Sequence, residues 1–401
     1  MATRELTGSS HPLAIFQQYV LANLAYWQSY IAAKLSDTPA MDRSRDQILR
    51  GLLFAIELQA AWPAVSELIE TLAAYMERRG YWEAWQRVLT QALAVAQQSN
   101  DQASVVRLSG LLARLAQRQS DFRRAVHYYR RTIHLGRRLG DRYNEARACS
   151  NLGYLYTEHG YWWRAELLCC HALLIFEQLG SLHGQAHTVN HLGYLFTRRG
   201  QWDQAWQYLD QACIYWRALG DDHGLMYGYI NLGVLCNETD RPDEALIYFQ
   251  KALKQADLVR EEALMGNLYM NMGMSFRSKG ELTKAEEHFQ QAKAIFQRFF
   301  NSFGLTLTLD NLGLLYMDQR RWPEAGATLE NALHIWRDLG HKHNEIRTVI
   351  YLIEYELARG DMQQASKWLK DADRLLQQCD PTREYHQLHR RVNKFRRSLA
   401  G

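Results

Sequence analysis

His187 and His191 stand one helical turn apart, a spacing at which two imidazoles on one helix face can share a metal ion. No carboxylate or cysteine lies at ligand spacing beside them, so ordinary polar lining accounts for the pair better than a metal centre. His341 and His343 flank a loop, and His386 and His389 fall in a basic tail; neither pair adds to the case. The six cysteines (Cys149, Cys169, Cys170, Cys213, Cys236, Cys379) sit inside helical patterns without C-x-x-C spacing. Three of them fall in or beside core columns, which reads as reduced packing thiols of a cytosolic protein. The phosphate-binding G-x-x-x-x-G-K-[ST], the metalloprotease H-E-x-x-H and the hydrolase G-x-S-x-G are all missing. The expectation is a non-enzymatic chain with no cofactor and no metal.

Two patterns carry more. Arg123, Arg124, Arg130, Arg131, Arg137 and Arg138, with His127 and His134, lie on one side of a single helical stretch, opposite Ala125 and Thr132. No acid occurs between Phe122 and Gly140. The chain as a whole carries only +4, so anion binding would have to come from this local cluster. The second pattern is a column that reads Asn151, His191, Asn231, Asn271, Asn311. Asparagine is a poor helix-interior residue, roughly 0.5 kcal/mol or more below alanine, so its recurrence needs a cause. Its side chain offers both a donor and an acceptor, which suits an extended peptide backbone; capping or bridging of neighbouring helices is the alternative. Tyr154, Tyr194, Tyr227, Ile230, Met270, Met274, Leu307 and Leu314 flank this column and would select side chains.

These residues are positioned by a repeat. Asn151-Leu152-Gly153 returns as His191-Leu192-Gly193, Asn231-Leu232-Gly233, Asn271-Met272-Gly273 and Asn311-Leu312-Gly313, each 40 residues on. Columns at Ala125, Ala165, Ala205, Ala245, Ala285, Ala325, Ala365 and at Ala172, Ala212, Ala252, Ala292 move in step. Cys149, Leu152, Gly153 and Tyr156 mark one face of a first helix; Ala165, Cys169 and Ala172 mark a second. Glycines at Gly80, Gly160, Gly200, Gly280 and Gly360 fall between the two, where a positive φ ends one helix and aims the next. Opposite the first-helix signature lie Arg147, Ser150, Asn151, Tyr154, Thr157 and Glu158, expected to be open. Most aromatics, including Trp162, Trp202 and Trp322, fall in repeat columns and are expected in the core.

Leu152, Gly153, Tyr156, Ala165 and Ala172, with their partners in most repeats, resemble the tetratricopeptide pattern over roughly residues 63–378. The tryptophan column departs from it, and the period is 40 where 34 is usual. That longer repeat, with its Leu-Gly-Asp ending, is similar to Pins/LGN-type scaffolds and to the sensor arms of bacterial signal-transduction ATPases of the maltose-regulator type. The resemblance implies an all-α, right-handed superhelical solenoid of antiparallel hairpins whose first helices line a concave groove for a protein or peptide partner.

The expected organisation is an N-terminal helical cap or docking segment at 1–62, eight repeats at 63–378 and a basic capping helix at 379–401. The stretch from Leu6 to Ala33 has no charged side chain, yet Gln17, Gln18, Asn23 and Gln28 make it too polar for a membrane span. It is read as a packing helix, or as a docking surface for a second subunit. The functional expectation is a cytoplasmic interaction scaffold or sensor arm that binds an extended segment. A nucleic acid or acidic protein held by the arginines is the alternative.

Overall fold

At nearly every twentieth residue from 100 to 360 the chain turns through a positive φ. Gly140, Gly160, Gly180, Gly200, Gly220, Gly280, Gly340 and Gly360 adopt φ between 63° and 83°. Asn100, Asp240 and Arg320 fill the same slot at 55°, 56° and 58°, a conformation in which a side chain is strained and glycine is not. The computed structural model describes residues 10–35, 37–79, 81–119, 121–258, 262–299, 301–379 and 383–400. Gly80, expected to make the first of these turns, lies outside them. Among the described residues all regular structure is helical.

Helices α1 (Ser10–Lys34) and α2 (Thr38–Ile56) lead through a 3₁₀ turn at Gln59–Ala61 to α3 (Trp62–Arg78) and α4 (Trp82–Gln98). There follow α5 (Gln102–Arg118), α6 (Phe122–Leu139), α7 (Arg142–Glu158), α8 (Trp162–Gln178), α9 (Leu182–Arg199) and α10 (Trp202–Leu219). The series continues with α11 (Asp222–Glu238), α12 (Pro242–Leu258), α13 (Glu262–Ser278), α14 (Leu282–Arg298), α15 (Ser302–Asp318) and α16 (Trp322–Leu339). It closes with α17 (Lys342–Arg359), α18 (Met362–Leu376) and α19 (Arg383–Ala400). Several first helices start at a side chain that caps them: Asp101, Ser181, Asp221 and Asn301 each accept from the backbone N–H three residues on.

The chain forms two compact units, residues 1–152 and 153–401. In the first, Leu24, Trp27 and Ile31 of α1 are buried with Met41 and Leu52 of α2 and Val65 and Leu72 of α3. The remaining faces of α1 stay open, with Tyr19 73% and Tyr26 58% exposed. Asp42 of α2 accepts from the Tyr75 hydroxyl at 2.6 Å and from Arg79 Nη2 at 2.6 Å, which ties the N-terminal helices to the first hairpin.

In the second unit each second helix is wedged between the first helix before it and the one after, as α10 is between α9 and α11. First helices also touch one another in series, α9 on α11, α11 on α13, α13 on α15 and α15 on α17, and so form the inner layer. The seams are as tight as the small-residue columns imply. A Cβ on Gly193 would lie 2.6 Å from Leu209, and one on Gly313 2.6 Å from Leu329. Ala205, Ala212, Ala245, Ala252, Ala285 and Ala292 are completely buried. At the C-terminus α19 lays Leu388 and Val392 against α17 and α18.

Two expectations about exposure fail. Ser150 and Thr157 are 3% and 1% exposed. A first helix is covered from three sides, so its buried arc is far wider than its apolar signature. Its hydroxyls are satisfied inside the helix, as where Thr157 Oγ1 donates to Gly153 O at 3.0 Å. The aromatic columns are also less uniformly internal than expected. Trp202 is 40% exposed at a helix start, while Trp85, Trp216 and Trp336 are the fully buried tryptophans.

Candidate functional site

Because both flanks of each first helix are covered, what remains open is a single line of side chains. On α9 it runs His183, His187, His191, Tyr194, Arg198, whereas Ala186, Thr188, Val189, Asn190, Leu192 and Gly193 between them are buried. The steps of four, four, three and four residues follow one face of the helix. The inner face of the second unit is made of such lines side by side.

At one end, the Tyr154 ring lies 5.0 Å from His191 and 5.3 Å from Tyr194, both tilted. Tyr154 donates to Glu158, whose carboxyl is raised to about 7. The main cause is withdrawal from bulk water; the Tyr154 hydrogen bond and the Arg198 charge pull the other way. Glu158 is still reached by solvent at its surface, as a group in a crowded recess can be. Crowding also lifts the Tyr154 hydroxyl well above its ordinary value, with Glu158, Tyr194 and Tyr227 close by. His187 is pushed the opposite way, to about 3, by desolvation and by His183, His191 and His223. Its imidazole is therefore neutral across the physiological range.

The asparagine column is half-buried throughout, and its members do different things. Asn231 Nδ2 donates to Asn190 Oδ1 of the preceding repeat at 2.9 Å, and Asn190 is buried. Asn311 Nδ2 turns back to Leu307 O at 2.9 Å. The Asn271 carbonyl accepts from Ser275 Oγ at 3.1 Å and Asn237 Nδ2 at 3.4 Å, while its side-chain amide makes no hydrogen bond among the described residues. Bridging between repeats thus occupies part of the column. Met270 and Tyr227 are half-buried beside it and Met274 is 39% exposed. Asn151 belongs to the first unit. Sequence reasoning left out Asn190, Asn237 and Arg198; the signal was there, since each sits one column or one turn from a residue already singled out.

The arginine stripe belongs to the first unit, on α6. Arg123, Arg130, Arg137 and Arg138 are exposed, and Arg124 and Arg131 half-buried. Acids outside the helix engage Arg124 and Arg137. Arg124 lies 3.7 Å from Asp121, whose other oxygen caps the helix through the Arg124 N–H. Arg137 Nε donates to Glu145 Oε1 at 3.0 Å, and the Glu145 side chain is wholly buried. The unit at Arg337, Glu345 and Lys342 repeats that arrangement. Arg123, Arg131 and Arg138 make no ion pair among the described residues.

All six cysteines are free thiols. Burial pushes Cys149 and Cys213 up to about 12, so neither is a thiolate at neutral pH. No helix among the described residues is long and apolar enough to cross a membrane.

Tetratricopeptide-repeat family models match residues 184–257, 266–297 and 308–342. No curated protein sequence matches the chain. Among solved structures it is similar to a Rap protein complexed with Competence and Sporulation Factor, at 14% identity, TM-score 0.57, covering 84% of this chain and 99% of that one. The apo quorum sensor NprR from B. thuringiensis follows at 15% identity and TM-score 0.55, covering 90% and 99%. A signal-transduction ATPase with a tetratricopeptide-repeat sensor from Pyrococcus horikoshii aligns at 16% identity and TM-score 0.53, over 86% of this chain and 53% of that one. Identities this low show the shared fold alone.

Proposed function

The chain is a tetratricopeptide-repeat protein, an all-α repeat solenoid, and from that premise we propose that it is a non-enzymatic scaffold or sensor that binds an extended peptide segment. The site is the inner face of the second unit, along Tyr154, His191, Tyr194, Tyr227, Asn231, Met270, Asn271 and Asn311. The observation that carries this reading is the alignment of half-open polar and aromatic side chains on consecutive first helices, with apolar Met270 and Met274 beside them. Such a face gives a peptide backbone donors and acceptors and gives its side chains adaptable apolar contacts. A Rap protein of the same fold was solved in complex with a Competence and Sporulation Factor, which supports a ligand-binding role for the architecture.

Affinity capture followed by calorimetry with the captured segment tests the proposal. Asn271→Ala should weaken binding by about 0.5–1.5 kcal/mol with the helical circular dichroism unchanged. A captured partner that footprints only on the second helices would refute the groove.

A second reading rests on Arg123, Arg131 and Arg138, which make no ion pair among the described residues. An anionic partner, acidic protein or nucleic acid, docks on α6 of the first unit. Its binding would fall steeply with salt.

A further inference from the structure

We infer that His183, His187 and Asp221 form a binding site for a divalent transition metal of the zinc class, at the seam where α9 meets the start of α11. The two histidines are one turn apart on the open line of α9, with ring centroids 4.6 Å apart. Asp221 comes from the following repeat, where Oδ1 accepts the Gly224 N–H at 2.9 Å and so fixes the carboxylate. Its Oδ2 lies 3.5 Å from His183 Nδ1. One donor atom from each of the three residues falls within 4.8 Å of the others.

The His183–Asp221 separation is informative. It is longer than a well-formed N–H···O hydrogen bond. It matches the roughly 3.3 Å between donors that surround a tetrahedral ion at about 2.0–2.1 Å. His183 is exposed enough to turn, and Trp216 edges against His187 at a centroid distance of 5.4 Å, which holds that ring in place. The same junction three hairpins on brings Phe303 and His341, at the positions of His183 and Asp221, together at 5.0 Å. The seam therefore brings side chains at these positions into contact, and the histidines and aspartate are a local choice within it.

Two imidazoles and one carboxylate suit zinc, cobalt or nickel; magnesium and calcium take all-oxygen sets. The remaining positions go to water or to a donor from a bound partner. Sequence reading paired His187 with His191 and found no carboxylate nearby, because the acid arrives from the next repeat.

The test is zinc titration of the full, metal-stripped chain by calorimetry against a competing chelator, with the cobalt-loaded protein followed by absorption. One equivalent is expected to bind with at least micromolar affinity and without a thiolate charge-transfer band. His187→Gln and Asp221→Asn should each weaken it at least tenfold, while His191→Gln leaves it unchanged. Asp221→Asn keeps the oxygen that caps α11, so its loss of zinc cannot be laid to unfolding. A thiolate band, zinc affinity unaffected by His187→Gln and Asp221→Asn, or binding no tighter than millimolar would overturn the assignment. The result is separable from the peptide reading, since Asn271→Ala should leave zinc binding intact.

Discussion

Trp336 donates its indole N–H to Asp310 Oδ2 at 3.0 Å inside the second unit, and Thr348 Oγ1 donates to the other oxygen at 2.7 Å. These bonds hold a carboxyl that is 3% exposed, and burial outweighs them, raising it to about 6. A carboxyl raised on folding contributes most below its unfolded value near 3.8, and that contribution is lost as pH rises through 6. Asp310→Asn should remove this slope. Relative to wild type it should gain about 2–3 kcal/mol between pH 4 and pH 8, read from denaturant melts at each pH. Parallel curves for the two proteins would contradict the burial argument.

The hairpin seams should reject added volume. Ala205→Leu inserts a side chain where alanine is completely buried and should cost on the order of 1–3 kcal/mol. Gly193→Ala should also destabilise, since its Cβ would meet Leu209 at 2.6 Å. Thermal melts check both, and unchanged midpoints would displace the register.

Asparagines of one column should behave differently. Asn231→Ala strips a donor from buried Asn190 and should cost about 1 kcal/mol of stability. Asn271→Ala breaks no side-chain hydrogen bond among the described residues and should leave stability unchanged. Equal melting shifts for the two would show that the column is uniform after all.

Glu158 should make the proposed binding at the inner face pH-dependent. Its carboxyl, raised to about 7, gains charge between pH 6 and 8. A segment that places a lysine, arginine or amino terminus beside it should bind more tightly as pH rises through that window. Glu158→Gln should flatten the profile, measured by calorimetry at fixed ionic strength.

Arginines on α6 should separate into two kinds. Replacing Arg123, Arg131 and Arg138 with Gln should reduce retention on an anionic matrix and leave the melting point alone. Arg137→Gln removes one of two cations beside buried Glu145 and should cost about 1–3 kcal/mol. Chemical denaturation of both variants distinguishes these roles.

What was legible in the sequence was whatever each repeat states for itself. The Gly160 and Gly200 turns, the alanine seams and the helix order depend on residues within one hairpin, and copies reinforce them. Contacts between repeats were harder to read. Ser150 and Thr157 look polar and open on a helical wheel, but the neighbours that cover them come from other helices. Asn231 belongs to a column visible in the sequence, yet its bond to Asn190 spans a whole repeat. Asp221 stood out in the sequence only as part of the Leu-Gly-Asp ending, and the structure sets its second oxygen against His183.

The spacing of left-handed turns has a genetic reading. Positions 140, 160, 180, 200 and 220 turn alike, so excising the stretch between any column and its copy leaves every later turn in phase. Unequal recombination between such copies would lengthen or shorten the protein only in whole hairpins. Each product would keep its seams matched and differ only in how many inner-face lines of side chains it presents. A single-residue insertion within a hairpin has no such escape, because it rotates every following side chain on that helix by about 100°.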